Sequence, residues 1–271
     1  MAISVYGGSG FVGSHYYKKH GGLLIPRNER NPQSDNVLYF ISTTDNYNVF
    51  TDIHVDVDTN LSVLLESLEA CRKAEVKTFN FISSWFVYGN TDLPAKETSY
   101  CDPKGFYSIT KRAAEQLLIS YCETFKMNYR ILRLGNVVGR GDEKVSAKKN
   151  ALQFLVNKMK ANEPIELYEN GDFYRDYIHV KDCANAIDLV VNKGELNQIY
   201  NIANGEATLF KDIIDLAYAK TESKSVVVSI PQKEFHKIVQ VKSMYLDISK
   251  IKALGYTPNY TIEKIVDDLI R

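Results

Sequence analysis

Short apolar runs alternate with amphipathic stretches along the chain, a pattern typical of an α/β fold with a parallel sheet. The apolar runs predict strands at 3–6, 23–25, 37–41, 79–82, 129–134 and 199–202. Apolar residues at helical spacing predict helices at 11–20, 61–73 and 106–126. The stretches between and after these elements, 137–180 and 206–271, are polar and irregular, and they indicate a second, smaller lobe.

The first predicted turn, between strand and helix, is rich in glycine. Gly7, Gly10 and Gly13 are spaced as G-x-x-G-x-x-G, which allows a tight turn and lets backbone amides approach a pyrophosphate. We therefore predict that these glycines, with Phe11 and Val12 at the helix start, bind a dinucleotide. A tight turn without a ligand is the alternative.

The second and third predicted strands lie too close together for a complete dinucleotide-binding half. Only eleven residues, 26–36, separate them, whereas a strand–helix–strand unit needs about 30 residues. We predict an α/β, Rossmann-like doubly wound parallel sheet that lacks the usual third strand, with a small C-terminal substrate-binding lobe. The strand at 23–25 should lie at an open edge, followed by those at 3–6, 37–41, 79–82 and 129–134. Eleven extended residues reach about 36 Å, enough to cross the first strand without a helix.

This arrangement divides the chain into two units. Residues 1–136 and 181–205 should form the dinucleotide-binding domain, and residues 137–180 and 206–271 the substrate-binding lobe. In the first unit, Ser42 follows the strand predicted at 37–41 and is a further candidate for cofactor binding.

Arg27 is the residue that bears on the choice of cofactor. NAD sites usually carry an acidic residue for the ribose 2′-hydroxyl after the second strand. Here Arg27 lies near that position, and a guanidinium group suits a phosphate. The cofactor should be NAD(P), with NADP favoured over NAD. Alternatively, Arg27 and Arg30 are solvated loop charges.

Composition and charge narrow the range of functions further. Lys+Arg and Asp+Glu both number 33, and this balance argues against a nucleic-acid or membrane-surface partner. The four cysteines are far apart in sequence, so neither a zinc site nor a redox pair is predicted and no metal is expected. We find neither a signal peptide nor a run of about 18 apolar residues, and we expect a cytoplasmic protein.

The motif Tyr-x-x-x-Lys is the candidate for acid–base chemistry, but the chain contains it four times. The matches are Tyr100/Lys104, Tyr107/Lys111, Tyr177/Lys181 and Tyr260/Lys264. Only Tyr107 and Lys111 open a long amphipathic helix, where a spacing of four places both side chains on one face. A nearby ammonium group should lower the tyrosine pKa, and a serine from the strand that ends in Ser83 and Ser84 should bind the same substrate oxygen. A packed helix with an incidental tyrosine and lysine is the alternative.

The motifs together resemble the extended short-chain dehydrogenase/reductase family, in its NAD(P)-dependent nucleotide-sugar epimerase/dehydratase branch. They appear in the family's order and span most of the chain. The stretches are 7–13 (GGSGFVG), 81–89 (FISSWFVYG), 107–111 (YSITK), 132–139 (LRLGNVVG), 175–182 (RDYIHVKD) and 200–205 (YNIANG). The resemblance implies that Ser84, Tyr107 and Lys111 are catalytic, with Lys111 also contacting the cofactor and Ser84 the substrate.

The resemblance also implies a nucleotide-sugar substrate held by Asn136 and Arg175. Arginine can donate two hydrogen bonds to a diphosphate. The alternatives are a salt bridge from Arg175 to Asp176 or Asp182, and a strand-end cap for Asn136. Relatives pair the helices that correspond to 61–73 and 106–126 across a dimer axis, so we expect a homodimer.

Two departures from the family pattern narrow the reaction. Trp85 and Phe86 occupy the positions where dehydratases carry Asp-Glu, so an elimination is not expected. The family's C-terminal arginine for the diphosphate is not evident, and Lys237 is the nearest basic residue.

Hydride and proton exchange at one sugar carbon, C4, remains as the expected chemistry. The resemblance favours an epimerase that works through a keto intermediate. An NADPH-dependent 4-ketoreductase is the alternative that Arg27 and the open adenine pocket favour. A non-catalytic dinucleotide sensor is a third possibility, against which the retained Ser84, Tyr107 and Lys111 argue.

Overall fold

The computed structural model describes residues 2–142, 145–146 and 149–271. The strands are β1 (Ser4–Tyr6), β2 (Leu23–Ile25), β3 (Asn36–Tyr39), β4 (Thr78–Ser84), β5 (Asn128–Leu134), β6 (Asn136–Val138), β7 (Ile165–Tyr168), β8 (Tyr174–Arg175), β9 (Tyr177–His179), β10 (Gln198–Ile202), β11 (Thr208–Leu209) and β12 (Val227–Ile230). The helices are α1 (Phe11–His20), α2 (Val55–Val57), α3 (Val63–Lys73), α4 (Phe106–Phe125), α5 (Ala151–Lys160), α6 (Val180–Lys193), α7 (Phe210–Thr221), α8 (Glu234–Val239), α9 (Ser249–Lys252) and α10 (Ile262–Ile270).

A six-stranded parallel sheet in the order β10-β5-β4-β3-β1-β2 forms the centre of the fold. This order confirms the predicted sheet, with β2 at one edge and β3 directly beside β1. The strand predicted at 199–202, which the expected order left out, is β10 and forms the opposite edge. The strand predicted at 37–41 covers only Asn36–Tyr39, although the Phe40 amide still donates to the Tyr6 carbonyl (3.0 Å).

The connection from β2 to β3 crosses β1 without a helix, as the spacing predicts. Parallel strands usually need a crossover of a dozen or more residues, whereas residues 26–35 suffice here. Side chains two apart in a strand point to one face, and the chain runs over the face of β1 that carries Ser4 and Tyr6. The Tyr6 hydroxyl donates to the Arg30 carbonyl (2.7 Å), and the Gln33 amide donates to the Ser4 hydroxyl (2.9 Å). These polar contacts replace the packing that a crossover helix would provide.

Both faces of the sheet are covered by helices, as a doubly wound sheet requires. On one face α1 and α6 pack together over a core that includes Val5, Leu38 and Leu132. On the other face α3 and α4 bury a core that includes Tyr39 and Phe79. The sheet thus has no open face between β1 and β5.

A separate core lies in the C-terminal part of the chain and is built around α5, α7, α10 and β7. The prediction that 137–180 and 206–271 are irregular is therefore wrong in part. The strands described in these stretches form two-stranded sheets, β6–β9, β7–β12 and β8–β11, and such short strands leave little periodicity in the sequence. The boundaries of the two units remain a prediction.

A buried charged cluster fixes α4 against the sheet. The Glu115 carboxylate, which is fully buried, accepts hydrogen bonds from the Ser83 hydroxyl (2.6 Å) and from Arg133 Nε and Nη2 (2.9 and 2.7 Å). Arg112 Nη1 adds a fourth bond (2.8 Å). Burial acts to raise the pKa of Glu115, but the bonds to Arg133, Ser83 and Arg112 hold that pKa below its usual value. The cluster joins α4 to both β4 and β5.

Substitution of Glu115 should destabilise the fold strongly. Glu115→Gln keeps the shape but leaves two arginines facing a neutral group, and breaking a buried ion pair costs about 3–5 kcal/mol. Urea unfolding measures the change. Glu123→Gln, on an exposed position of the same helix, is the matched control and should change the free energy of unfolding by less than about 0.5 kcal/mol.

The pH dependence of the free energy of unfolding provides a second measurement, made on the wild type and on Glu115→Gln. Because the folded-state pKa of Glu115 is depressed, its stabilisation is present above the unfolded-state pKa and is lost as the pH falls through the folded-state pKa. The difference between wild type and Glu115→Gln should therefore shrink in acid. Equal stability of the two proteins at neutral pH would contradict the assignment.

Candidate active site

A cleft of about 1300 Å³ lies at the carboxyl ends of the parallel strands, the edge of an open α/β sheet where ligands bind. Its lining comes from the ends of β1, β3, β4 and β5 on one side and from β7, β8, α5 and α8 on the other. All predicted catalytic, cofactor-binding and substrate-binding residues line this cleft. The sheet thus brings together positions that lie as far apart in sequence as Gly7 and Arg175.

The glycine-rich turn forms one end of the cleft. Gly7 has a φ of +72°, and a Cβ on Gly13 would lie 2.5 Å from the Gly7 carbonyl oxygen, so helix and turn pack too closely for a side chain. The N-cap of α1 is Gly10, which offers no side-chain cap, and the first turn contains no acidic residue. The amides of Phe11 and Val12 are therefore available to an anion, supported by the helix dipole. These features fit the pyrophosphate of a dinucleotide.

The two arginines of the crossover have different surroundings. Arg27 lines the cleft, whereas Arg30 contacts Glu66 on α3 (3.1 Å) and donates to the Arg27 and Glu29 carbonyls. Arg30 is thus engaged in fixing the loop. Lys18 on α1 also lines the cleft, and sequence reasoning missed it because a lysine on an exposed helix face carries no motif.

Ser42 lies in the cleft just beyond β3, where its hydroxyl donates to the Asn60 side chain (3.0 Å). The same Asn60 donates to Thr110 on α4 (2.9 Å). A second asparagine, Asn46, contacts the backbone amide and the hydroxyl of Ser108 (3.3 and 3.1 Å). These asparagines, which no motif indicated, position the first turns of α4 beside the cleft.

Ser84 ends β4, and Tyr107 lies in the first turn of α4, so both reach the floor of the cleft. The Phe86 amide donates to the Ser84 hydroxyl (3.3 Å) and fixes its direction. Burial raises the pKa of Tyr107 to about 12, against an opposing effect of its hydrogen bond with Ser84. The tyrosine hydroxyl is therefore protonated at neutral pH.

Lys111 lies one turn further along α4 and is also buried. Its Nζ donates to the Ile82 carbonyl (2.7 Å) and lies 4.2 Å from the centre of the Phe81 ring. Burial lowers the pKa of Lys111 to about 7, and the charge of Glu115 acts in the opposite direction. Burial dominates the pKa of Tyr107 in this state, and the lowering of that pKa by a nearby ammonium group stays a prediction.

Trp85 and Phe86, which depart from the dehydratase pattern, form an aromatic wall beside Tyr107. The Trp85 and Phe86 rings stack (centroids 3.9 Å apart), and Phe86 meets Tyr107 edge to face at 5.7 Å. Both line the cleft. Neither side chain can transfer a proton, so at these positions the wall provides apolar contact only.

Asn136 and Arg175 lie in the cleft beyond β5. The Asn136 side chain donates to the Asp176 carbonyl (3.0 Å). The Arg175 guanidinium donates to the carbonyls of Tyr174, Lys242 and Val241 (2.9, 2.6 and 3.1 Å), and burial lowers its pKa to about 10.

The salt bridge considered for Arg175 is absent from the described residues. The Asp176 carboxylate instead accepts bonds from the amides of Asn204, Gly205 and Leu246. Asp182 accepts bonds from the backbone amides of Asn259 and Tyr260. Arg175 therefore retains an unbalanced positive charge beside the cleft.

The expected C-terminal anchor is not formed by Lys237. That lysine pairs with Glu234 (2.7 Å) on the exposed side of α8, whereas the preceding residue, His236, lines the cleft. His179, in the same motif stretch as Arg175, is buried, contacts Asp268 (3.1 Å) and stacks on Tyr260.

No group of three or more His, Cys, Asp or Glu residues among the described residues could hold a metal ion. No described helix is long and apolar enough to cross a membrane.

Similar proteins share this architecture. A Methanocaldococcus jannaschii protein, provisionally named a UDP-glucose 4-epimerase, is 27% identical over 97% of this chain and 95% of its own length. The Thermotoga maritima UDP-glucose 4-epimerase with UDP-glucose superposes with a TM-score of 0.88, at 23% identity, over 100% of this chain and 97% of that chain. The protein RMD from Pseudomonas aeruginosa with NADPH has a TM-score of 0.85, at 23% identity, over 100% and 98% of the two chains.

The family itself is established by sequence. Residues 28–203, well over half of the chain, match the sequence model of the family described as "NAD dependent epimerase/dehydratase family". The matched segment contains Ser84, Tyr107, Lys111, Asn136 and Arg175. This chain is thus a member of the NAD-dependent epimerase/dehydratase family of nucleotide-sugar enzymes.

Proposed function

We propose that the protein is a nucleotide-sugar epimerase that inverts one carbon of the sugar, C4, through a keto intermediate. The observation that carries the proposal is the single cleft that holds Ser84, Tyr107 and Lys111 between the glycine-rich turn and Arg175. The UDP-glucose in the Thermotoga maritima structure supports a UDP-sugar as the first substrate to test.

The side chains on the cleft floor divide the proton chemistry between them. A bound nicotinamide dinucleotide supplies the hydride acceptor and donor. Tyr107 moves the proton at the C4 oxygen, and Ser84 binds the same oxygen and orients it. The raised pKa of Tyr107 keeps its hydroxyl protonated, the form that returns a proton to a ketone oxygen. Protonated Lys111 would favour the phenolate needed for the opposite direction.

The aromatic wall of Trp85 and Phe86 limits what this chemistry can do. Removal of water across the sugar ring needs a second acid or base at these positions, and aromatic side chains cannot supply one. An exchange of hydride and proton at one carbon needs only the groups on the floor of the cleft, so epimerisation is favoured over dehydration.

A net reductase is the second candidate function, and Arg27 favours it. The guanidinium lines the cofactor end of the cleft, where it suits the 2′-phosphate of NADP. We propose NADP as the preferred cofactor. A reductase must exchange its cofactor at each turnover, and an epimerase returns the hydride to the same sugar.

A homodimer is proposed from the outer surface of α3 and α4. Five large apolar side chains on these helices are between 38% and 51% exposed. They are Leu65, Phe106, Ile109, Leu117 and Phe125. Pairing α3 and α4 with the same helices of a second copy would bury an exposed apolar face that monomers rarely carry.

Epimerase activity should appear as conversion of a UDP-hexose into its C4 epimer without net consumption of NADPH. Chromatography of the nucleotide sugars after incubation measures the product. Tyr107→Phe should lower turnover by about 10²-fold or more, because a general acid/base contributes that much, while dinucleotide binding persists.

Tyr100→Phe is the matched control for this substitution. Tyr100 belongs to another Tyr-x-x-x-Lys match but is exposed, so its loss should leave turnover unchanged. Normal turnover of Tyr107→Phe would contradict the role of Tyr107. Stoichiometric NADPH oxidation with a 4-keto sugar, and no epimer formation, would favour the reductase.

Arg27→Ala should weaken NADP binding about tenfold and leave NAD binding nearly unchanged, because only NADP carries a 2′-phosphate for this charge. Titrations of protein fluorescence with both nucleotides measure the ratio. In the control Lys19→Ala, at an exposed position outside the cleft, the ratio should stay at the wild-type value. Equal weakening of both nucleotides by Arg27→Ala would make Arg27 a surface charge.

The wild-type protein should have the mass of a dimer in light scattering at micromolar concentration. Ile109→Asp introduces a charge into the apolar face of α4 and should shift the mass to that of a monomer. Val227→Asp changes an exposed valine on β12 and should leave the mass unchanged. A monomeric wild type would refute the proposed assembly.

A further inference from the structure

His236 holds an unusual position for a residue outside any recognised motif. Helix α8 directs it into the cleft, where its ring packs at a tilt against the Tyr168 ring with centroids 4.8 Å apart. Its Nδ1 lies 3.1 Å from the Tyr47 hydroxyl. Tyr47 and Tyr168 come from the segment after β3 and from β7, so two distant parts of the chain fix the orientation of the imidazole.

The second nitrogen of this imidazole, Nε2, is left for a ligand. When the Tyr47 hydroxyl donates to Nδ1, the proton of the neutral ring is on Nε2. Among the described residues Nε2 has no hydrogen-bond partner, so it remains a donor that can meet a ligand. Arg175 lines the same cleft, close enough for its charge to act on the imidazole.

Resting on the proposed function, we propose that His236 and Arg175 together bind the diphosphate of the nucleotide sugar, with His236 protonated in the complex. Arg175 is engaged with three backbone carbonyls and no carboxylate of the described chain balances its charge. A dianionic diphosphate between the two side chains would balance it through charge-assisted hydrogen bonds. Lys237, the basic residue that the sequence suggested, is paired with Glu234 instead.

The proton balance follows from the surroundings of the ring. Burial, and then the charge of Arg175, lower the pKa of His236 below its usual value, so the ring is neutral at neutral pH in the free protein. A neighbouring diphosphate raises that pKa. Binding therefore takes up a proton, and affinity is highest below the free-protein pKa and falls as the pH rises towards the pKa of the complex.

Other groups near His236 do not reproduce this behaviour. The titratable and charged residues around the His236 ring come from several elements. They are Tyr47 from the segment after β3, Tyr168 and Glu166 on β7, Arg175 on β8, and the paired Glu234 and Lys237 on α8 itself. These groups are unchanged in all the variants compared below. Lys111 and Asp176 have pKa values of about 7, but both are present in every variant compared below, so their contribution cancels.

The test uses UDP-glucose as the probe, because its diphosphate is esterified at both ends and carries no proton that titrates near neutrality. Calorimetric titrations of the full chain from about pH 5.5 to about pH 8.5 bracket the usual histidine pKa. The wild-type Kd should rise about tenfold over this range, a change equal to one unit of pKa shift. Repeating the titration in two buffers of different ionisation enthalpy measures the proton uptake.

Two substitutions at 236 separate charge from shape. His236→Gln keeps a donor without a titrating charge, and its Kd should stay near the weak, high-pH value. His236→Arg carries a permanent charge, and its Kd should stay near the strong, low-pH value. His54→Gln, at an exposed histidine outside the cleft, should retain the wild-type pH profile.

The outcomes distinguish this inference from the function on which it rests. A His236→Gln protein that keeps the wild-type pH profile and proton uptake would overturn the role of His236 while leaving nucleotide-sugar binding intact. If UDP-glucose does not bind the wild type at any pH, the proposed function fails together with the inference. Loss of the pH dependence in His236→Gln and a flat, tight profile in His236→Arg support the inference.

Discussion

The buried carboxylate of Glu115 is the contact on which the active-site geometry depends. It accepts a hydrogen bond from Ser83, the neighbour of Ser84, and two from Arg133 near the end of β5. A buried charge is tolerated only when its partners are in place. The register of α4 against β4 and β5 is therefore set by this cluster, and with it the positions of Tyr107 and Lys111 relative to Ser84.

The short crossover between β2 and β3 is a second constraint, and it shapes the cofactor end of the cleft. Ten residues can cross β1 because Ser4 and Tyr6 provide polar anchors on that face of the strand. Arg30 fixes the loop to α3 through Glu66. Among the described residues Arg27 has no ion-pair partner, and it lines the cleft. Loss of the third strand thus leaves an arginine at the end of the cleft proposed to hold the dinucleotide.

The charges of the cleft show how a protein with zero net charge can present positive groups to the two anionic ligands proposed for it. Arg27 and Lys18 line one end, and Arg175 and His236 the other. Acidic residues elsewhere balance the total. Between the two ends lie the buried Tyr107 and Lys111, whose pKa values are shifted by burial. Anion binding is thus a local property that the overall composition conceals.

The sequence by itself determined the sheet, the missing strand and the residues at the centre of the cleft. Strand periodicity and the eleven-residue gap predicted the order of β2, β1, β3, β4 and β5, and the motif around Tyr107 selected one pair out of four. These features are local: each depends on a run of neighbouring residues whose spacing has a physical meaning. The short strands of the C-terminal part had no such signal, and the sequence did not reveal them.

Only the tertiary structure decided which side chains outside the motifs reach the cleft. Lys237 was the basic residue nearest to the expected anchor, yet α8 turns it outward and His236 inward. Asn46, Asn60 and Glu115 likewise act through partners from elements distant in sequence. A contact of this kind depends on the relative orientation and spacing of packed helices and strands. The packing of the whole core fixes that arrangement, and adjacent residues do not.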